Sequence, residues 1–273
     1  MRWTPGGRSP NLEDRRSTGG GMGGRGLGIG GTVVVLALSL IFGRNLFSDL
    51  GVEPSLGATG APMSAADSAA EEPQVQFVSF VMDDVQKTWA KILPNFHPAR
   101  VVLFRSSTES GCGTAQSAMG PFYCPLDERV YLDLGFFEEL EKRFGASGDF
   151  AKAYVIAHEL GHHIQHLTGT DARVRQAQES NPSAANELSV RLELQADCYA
   201  GVWAHSTDQR RILEQGDVDE ALAAASAVGD DRIQKQTTGR VNVDSFTHGS
   251  AAQRSQSFKR GFESGDPRNC NTL

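Results

Sequence analysis

Cysteine is scarce in this chain and never arranged as C-x-x-C: Cys112, Cys124, Cys198 and Cys270 are spread over 273 residues. That spacing argues against a thiolate zinc site and for disulfides in an oxidising compartment. Four cysteines allow three pairings. Cys112 and Cys124 flank a loop that can close locally, which leaves Cys198 to tie down Cys270. A basic excess is also missing. From Val75 onward 20 Lys and Arg stand against 26 Asp and Glu, so no basic stripe neutralises phosphates and no nucleic-acid partner is expected. Nor is there an internal repeat, a P-loop or a dinucleotide fingerprint. The GMGGRG run near the N-terminus follows no strand and reads as low-complexity glycine.

Long apolar runs are equally rare. Gly26 to Gly43 is an uncharged stretch of 18 residues, apolar from Thr32 to Phe42, at the lower limit for a membrane-spanning helix. Residues 1–25 are rich in Gly, Arg and Ser without apolar periodicity, the composition of a disordered tail. Five arginines (2, 8, 15, 16 and 25) precede the stretch and only Arg44 closely follows it. The expected topology is therefore single-pass, with the N-terminus cytoplasmic and the large domain outside. A cleaved signal peptide is the rival, but it would need an unusually long n-region, and no A-x-A type site follows Phe42. Residues 44–74 read as a flexible linker, and 75–273 as one domain with room for a substantial core.

What the domain does contain is His158, Glu159, Leu160, Gly161 and His162, the pattern H-E-x-x-H. On a helix this sets two imidazoles one turn apart on one face with a carboxylate beside them. At about 100° per residue, Ala153, Ile156, Ala157, Leu160, Ile164 and Leu167 form an apolar stripe, and the two histidines and Glu159 face away from it. Zinc needs a third ligand. A third histidine six residues after His162 is absent, Thr168 standing there, and all five Met precede the motif, so no Met-turn follows. His166 lies two turns from His158, too far to share an ion, and His163 points away; both read as supporting or surface residues. Glu193 fits instead. It stands in a helical run from Glu187 to Ala204, with Asp197 one turn on and Ser189, Ala196, Ala200 and Ala204 on the same face. Small side chains there let the two helices approach. Glu193 then completes a His, His, Glu set with the fourth position open, and Asp197 is placed to accept a hydrogen bond from a ligand histidine.

The segments HELGHHIQHLTG and RLELQADCYAGVWA, preceded by GPFYCPLDERVYLDLGFF and followed by FTHGSAAQRSQSFKRGFESGDP, resemble a bacterial membrane-anchored family of neutral zinc metallopeptidases. The resemblance runs from about Phe77 to the C-terminus and includes the short N-terminal anchor. It implies a zincin-like catalytic domain of the gluzincin arrangement, with a Glu as third ligand, held at the bacterial inner membrane with the catalytic domain extracytoplasmic. The expected reaction is hydrolysis of a peptide or protein substrate by zinc-assisted attack of water, with Glu159 as general base. His248 is the candidate donor to the oxyanion, with Tyr131 and Tyr199 behind it, and the edge of a strand at Arg129 to Leu134 is the candidate peptide-binding edge. The alternative is a catalytically silent, zinc-stabilised binding or scaffold protein. Glu159 favours the enzyme, because a structural zinc site needs no base and is closed by four protein ligands.

The expected fold is helix-rich α+β, with a small sheet over the active-site helix. Strands are expected at Val101 to Arg105 and Arg129 to Leu134, where apolar and polar residues alternate. Helices are expected at Val75 to Leu93, Phe136 to Phe144, Phe150 to Leu167, Asp171 to Gln178, Glu187 to Ala204, Asp217 to Val228 and Ser250 to Glu263.

Overall fold

The computed structural model describes residues 1–17 and 65–272. Helix α1 (Ala65–Ile92) carries Val78, Val81, Val85 and Trp89 at three- and four-residue spacing, and all are buried. That single stripe lays α1 along the core. Strand β2 (Arg100–Phe104) is apolar at every position from Val101 onward and is buried on both faces, the pattern of an interior strand. It runs parallel to β1 (Leu12–Asp14) on one side and parallel to β6 (Arg129–Asp133) on the other, and β5 (Phe122–Cys124) closes the sheet antiparallel to β6. The order is β1-β2-β6-β5. A separate hairpin, β3 (Ser107–Ser110) and β4 (Gly113–Gln116), is fastened to β5 by the Cys112–Cys124 disulfide.

Helices follow: α2 (Gly135–Phe144), α3 (Asp149–Leu167), α4 (Thr170–Ser180), α5 (Ala185–Gln209), α6 (Asp217–Ala227), α7 (Asp230–Thr238) and α8 (Ala251–Ser264). The chain is thus a helix-rich α+β fold, and the elements expected from periodicity are present within a few residues of their expected ends, apart from the start of α1. The β3–β4 hairpin, β1, β5 and α7 were not expected. Helix α3 is the central element, packed against α1, α5 and α6 and against β5. Its apolar stripe, including Ala153, Ile156, Ala157, Leu160 and Ile164, is buried.

Two contacts fix α5, and both need glycine. At Gly161 of α3 an added Cβ would lie 3.0 Å from the carbonyl oxygen of Ala196, so the helices meet almost backbone to backbone. At Gly201 and Gly261 α5 crosses α8 more tightly still: a Cβ on Gly261 would overlap the Cys198 carbonyl, and one on Gly201 the Phe258 carbonyl. The Cys198–Cys270 disulfide ties the segment after α8 to the same helix. Both disulfides have the expected pairing.

The N-terminal residues correct the sequence reading. Residues 1–17 are ordered against the domain, where a disordered tail was expected. Trp3 packs edge-on against Phe77 at 5.2 Å, Ser9 donates to Asp83 at 2.7 Å, and β1 completes the sheet. Composition missed this because the arm is held by charge pairing and one short strand, neither of which leaves an apolar period. Helix α1 likewise begins inside the stretch read as linker, at Ala65, and its Glu71 and Glu72 pair with Arg16 and Arg8. Residues 26–43 lie outside the described residues, and no described helix is long and apolar enough to cross a membrane.

The close α5–α8 crossing gives a direct test. Gly261→Ala should lower stability by about 1–3 kcal/mol or more, the range for an overpacked interior, read as a fall in melting temperature by circular dichroism. An unchanged melting temperature would mean that the two backbones are further apart than described.

Candidate metal centre

Helix periodicity puts His158 and His162 one turn apart on α3, and Glu193 faces them from α5. His158 Nε2 stands 3.2 Å from Glu193 Oε2, and His162 Nε2 stands 3.4 Å from Glu193 Oε1. One ligand atom from each residue lies within 4.8 Å of the other two, the one such group among the described residues. Ligands about 2.0 to 2.1 Å from a tetrahedral zinc ion are about 3.4 Å apart, so these three fit the ion in both type and spacing.

Behind the triad sits a buried charge network. Asp197 is fully buried. One of its oxygens accepts from His158 Nδ1 at 2.8 Å, from the Tyr154 hydroxyl and from Arg254 Nη2 at 2.9 Å; the other accepts from Arg254 Nε at 2.9 Å. Because His158 donates through Nδ1, its Nε2 is the nitrogen turned towards Glu193. Arg254 enters from the first turn of α8, which is fixed by a capping box between Ser250 and Gln253. Beside His162, Gln165 accepts from Nδ1 at 2.8 Å and is itself held by Leu192 and Gln195 of α5.

These contacts set the charge states of the metal-free site. Burial opposes a charge on His158, but Asp197 and Glu193 outweigh it and raise its pKa to about 10. His162 is raised on balance in the same way by Glu193, again against burial. Burial works against ionising Glu193 and Asp197 as well. The histidines hold Glu193 well below the usual carboxylate range, and Arg254 with His158 lowers Asp197.

Glu159, His158, His162, Glu193 and His248 all line one cavity of about 630 Å³. Glu159 has no hydrogen-bond partner among the described residues and is outside the three-ligand group. His248 is held by Asp230: one carboxylate oxygen accepts the backbone N–H groups of Thr247, His248 and Gly249, and the other lies 3.2 Å from His248 Nδ1. Burial lowers the His248 pKa, but Asp230 and Glu193 more than offset it and leave it raised.

Other expected residues lie elsewhere. Tyr131 and Tyr199 do not line the cavity: Tyr131 is buried in the sheet and donates to Asp127 at 2.6 Å, and Tyr199 packs on Trp89. The tyrosines that do line the cavity are Tyr123 of β5 and Tyr154, one turn before His158. His163 is not a surface residue. It is wholly buried, donates from Nε2 to the His97 carbonyl and accepts at Nδ1 from Tyr123, and burial keeps its pKa low. It fastens β5 to α3. His166 pairs with Asp171 away from the triad. Arg254, Tyr154 and Asp230 were missed because each acts through a partner far along the chain. The one local signal was Tyr154, four residues before His158 on the same helix.

Because a pKa of about 10 keeps His158 protonated at neutral pH, zinc binding should release that proton. Calorimetry in buffers of different ionisation enthalpy should find net proton release, and zinc affinity should fall as pH falls. An affinity independent of pH between 6 and 8 would contradict the pairing of His158 with Asp197.

Comparison with known sequences agrees with this chemistry. The family described as "Putative neutral zinc metallopeptidase" matches residues 1–273. A protein of Escherichia coli K12, "Uncharacterized protein YpfJ", is 46% identical over 289 residues, covering 100% of this chain and 99% of its own. "Uncharacterized protein Rv2575" of Mycobacterium tuberculosis H37Rv is 48% identical over 202 residues, 70% of this chain and 68% of that one. No solved structure matches. With that match along its whole length, and a His, His, Glu group in the right place, the chain belongs to the neutral zinc metallopeptidase family.

Proposed function

We propose that this chain is a zinc-dependent endopeptidase that hydrolyses peptide bonds in peptide or protein substrates. The observation that carries the reading is Glu159: a carboxylate in the cavity wall, beside the candidate ligands and not one of them. A structural zinc site has no use for such a group.

Zinc, when bound by His158, His162 and Glu193, supplies positive charge that polarises a carbonyl and makes water a better nucleophile at neutral pH. The chain's own residues do the rest. Glu159 accepts the proton of the attacking water and returns it to the leaving amine, work that contributes about 10² to 10⁴ in rate. His248, with Nδ1 turned to Asp230, has Nε2 left to donate to the developing oxyanion. Asp197 and Gln165 hold the two histidine rings in register.

The substrate is read from the cavity walls. Strand β6 lies between β2 and β5, and β5 already pairs with Arg129 to Tyr131, so this part of the expected peptide-binding edge is occupied. The sheet ends instead at β5, whose Phe122 and Tyr123 line the cavity. An extended peptide laid along β5 would use backbone hydrogen bonds there. The two disulfides favour an extracytoplasmic domain.

Glu159→Gln keeps the shape of the side chain but cannot accept a proton. It should leave zinc content and melting temperature unchanged while hydrolysis of a peptide library falls by about 10² or more. His162→Ala should lose zinc and turnover together. If wild-type protein with zinc bound cleaves nothing in a broad library, the scaffold reading gains.

His248→Ala should cost about 10² to 10³ in kcat with little change in zinc affinity. Since the raised pKa keeps His248 a cationic donor to higher pH, activity should decline on the alkaline side. Asp230→Asn should move that decline to lower pH. An alkaline limb unmoved by this change would remove His248 from the reaction.

A further inference from the structure

The pairing of β1 with β2 bears on a question the active site does not touch. Leu12, Glu13 and Asp14 lie in register with Val101, Val102 and Leu103, and Arg15 N–H donates to the Leu103 carbonyl at 2.7 Å. The arm is not merely resting on the surface. Arg16 is buried, with Glu71 at 2.6 Å and Asp14 at 2.7 Å, Trp3 Nε1 donates to Asp149 at 3.2 Å, and Ser9 reaches Asp83. Without the arm, β2 would present a bare edge of apolar residues, a template for unwanted pairing.

A strand and its neighbour in one sheet are on the same side of any membrane. A single crossing by residues 26–43 would put residue 14 and residue 100 on opposite sides, and the two strands could not meet. Two crossings need about 40 apolar residues, and the uncharged stretch is 18 long. An arm swapped in from a second copy would obey the same limit. Four of the five arginines that suggested a cytoplasmic N-terminus have another use: Arg2 pairs with Glu214, Arg8 with Glu72, Arg15 with Glu13 and Arg16 with Glu71. They are arranged as ion pairs of the fold, so their number is not evidence of orientation.

We propose that residues 1–17 are an integral part of the catalytic domain and lie in the same compartment as residues 65–272. The proposal stands whether or not the metal centre turns over substrate.

Full-length Thr4→Cys and Lys235→Cys variants, each with one unpaired thiol at an exposed position, are treated in intact cells with a membrane-impermeant maleimide, before and after lysis. The expected result is the same pattern for both, labelled before lysis if the disulfides report an oxidising compartment. Labelling of one only after lysis and of the other before it would overturn the proposal. A second measurement works on the unlabelled full-length chain. Arg16→Ala removes the buried guanidinium that joins Asp14 of the arm to Glu71 of α1 and should lower the temperature at which the domain becomes protease-sensitive by about 5–10 °C. No shift would mean that the arm is not docked on the domain.

Discussion

Asp197 is the constraint around which the site is built. A carboxylate with no solvent contact is costly unless its oxygens are filled by donors and its charge is matched. Three partners meet that demand from two helices, Tyr154 and His158 from α3 and Arg254 from α8, while α5 carries the carboxylate itself. Satisfying Asp197 therefore brings all three helices to one point. The ring of His158 is oriented as a by-product, and Glu193, one turn earlier on α5, arrives opposite the two imidazole nitrogens without further adjustment.

Glycine sets how closely this can happen. Gly161 lies between the two ligand histidines, and its neighbour across the helix contact is Ala196, between Glu193 and Asp197. The point of closest approach is thus at the level of the metal group. A larger residue at either place would move a whole helix, and a shift of a few tenths of an ångström is enough to disturb ligands that must sit about 2 Å from one ion. The x-x of H-E-x-x-H is in this chain a spacing device as much as a gap.

Most of the site could be read from sequence because most of it is local. The His pair and Glu159 are fixed by helical spacing, and Glu193 with Asp197 by the same spacing on a second helix whose small face announced a close contact. Arg254 and Asp230 could not be read, since nothing in the sequence near them says which distant group they meet. The strand β5 was hidden by its length of three residues, too short for alternation to register, and its absence from the reading made β6 look like an edge. The N-terminal arm was missed for a different reason: polar pairing between residues as far apart as Arg16 and Glu71 or Trp3 and Asp149 leaves no periodic trace, and the same arginines lend themselves to a topological rule.

The parallel pairing of β1 with β2 has a consequence for how the molecule is made. Strand β1 is synthesised well before its partner, which follows only at residue 100. At about 5–20 residues per second, the arm waits some 4 to 17 seconds, roughly, for the strand it covers. Contacts of such long sequence separation are the slow ones to form. The arm is thus made before the strand it covers, and until the two are paired the apolar edge of β2 is open to unwanted pairing.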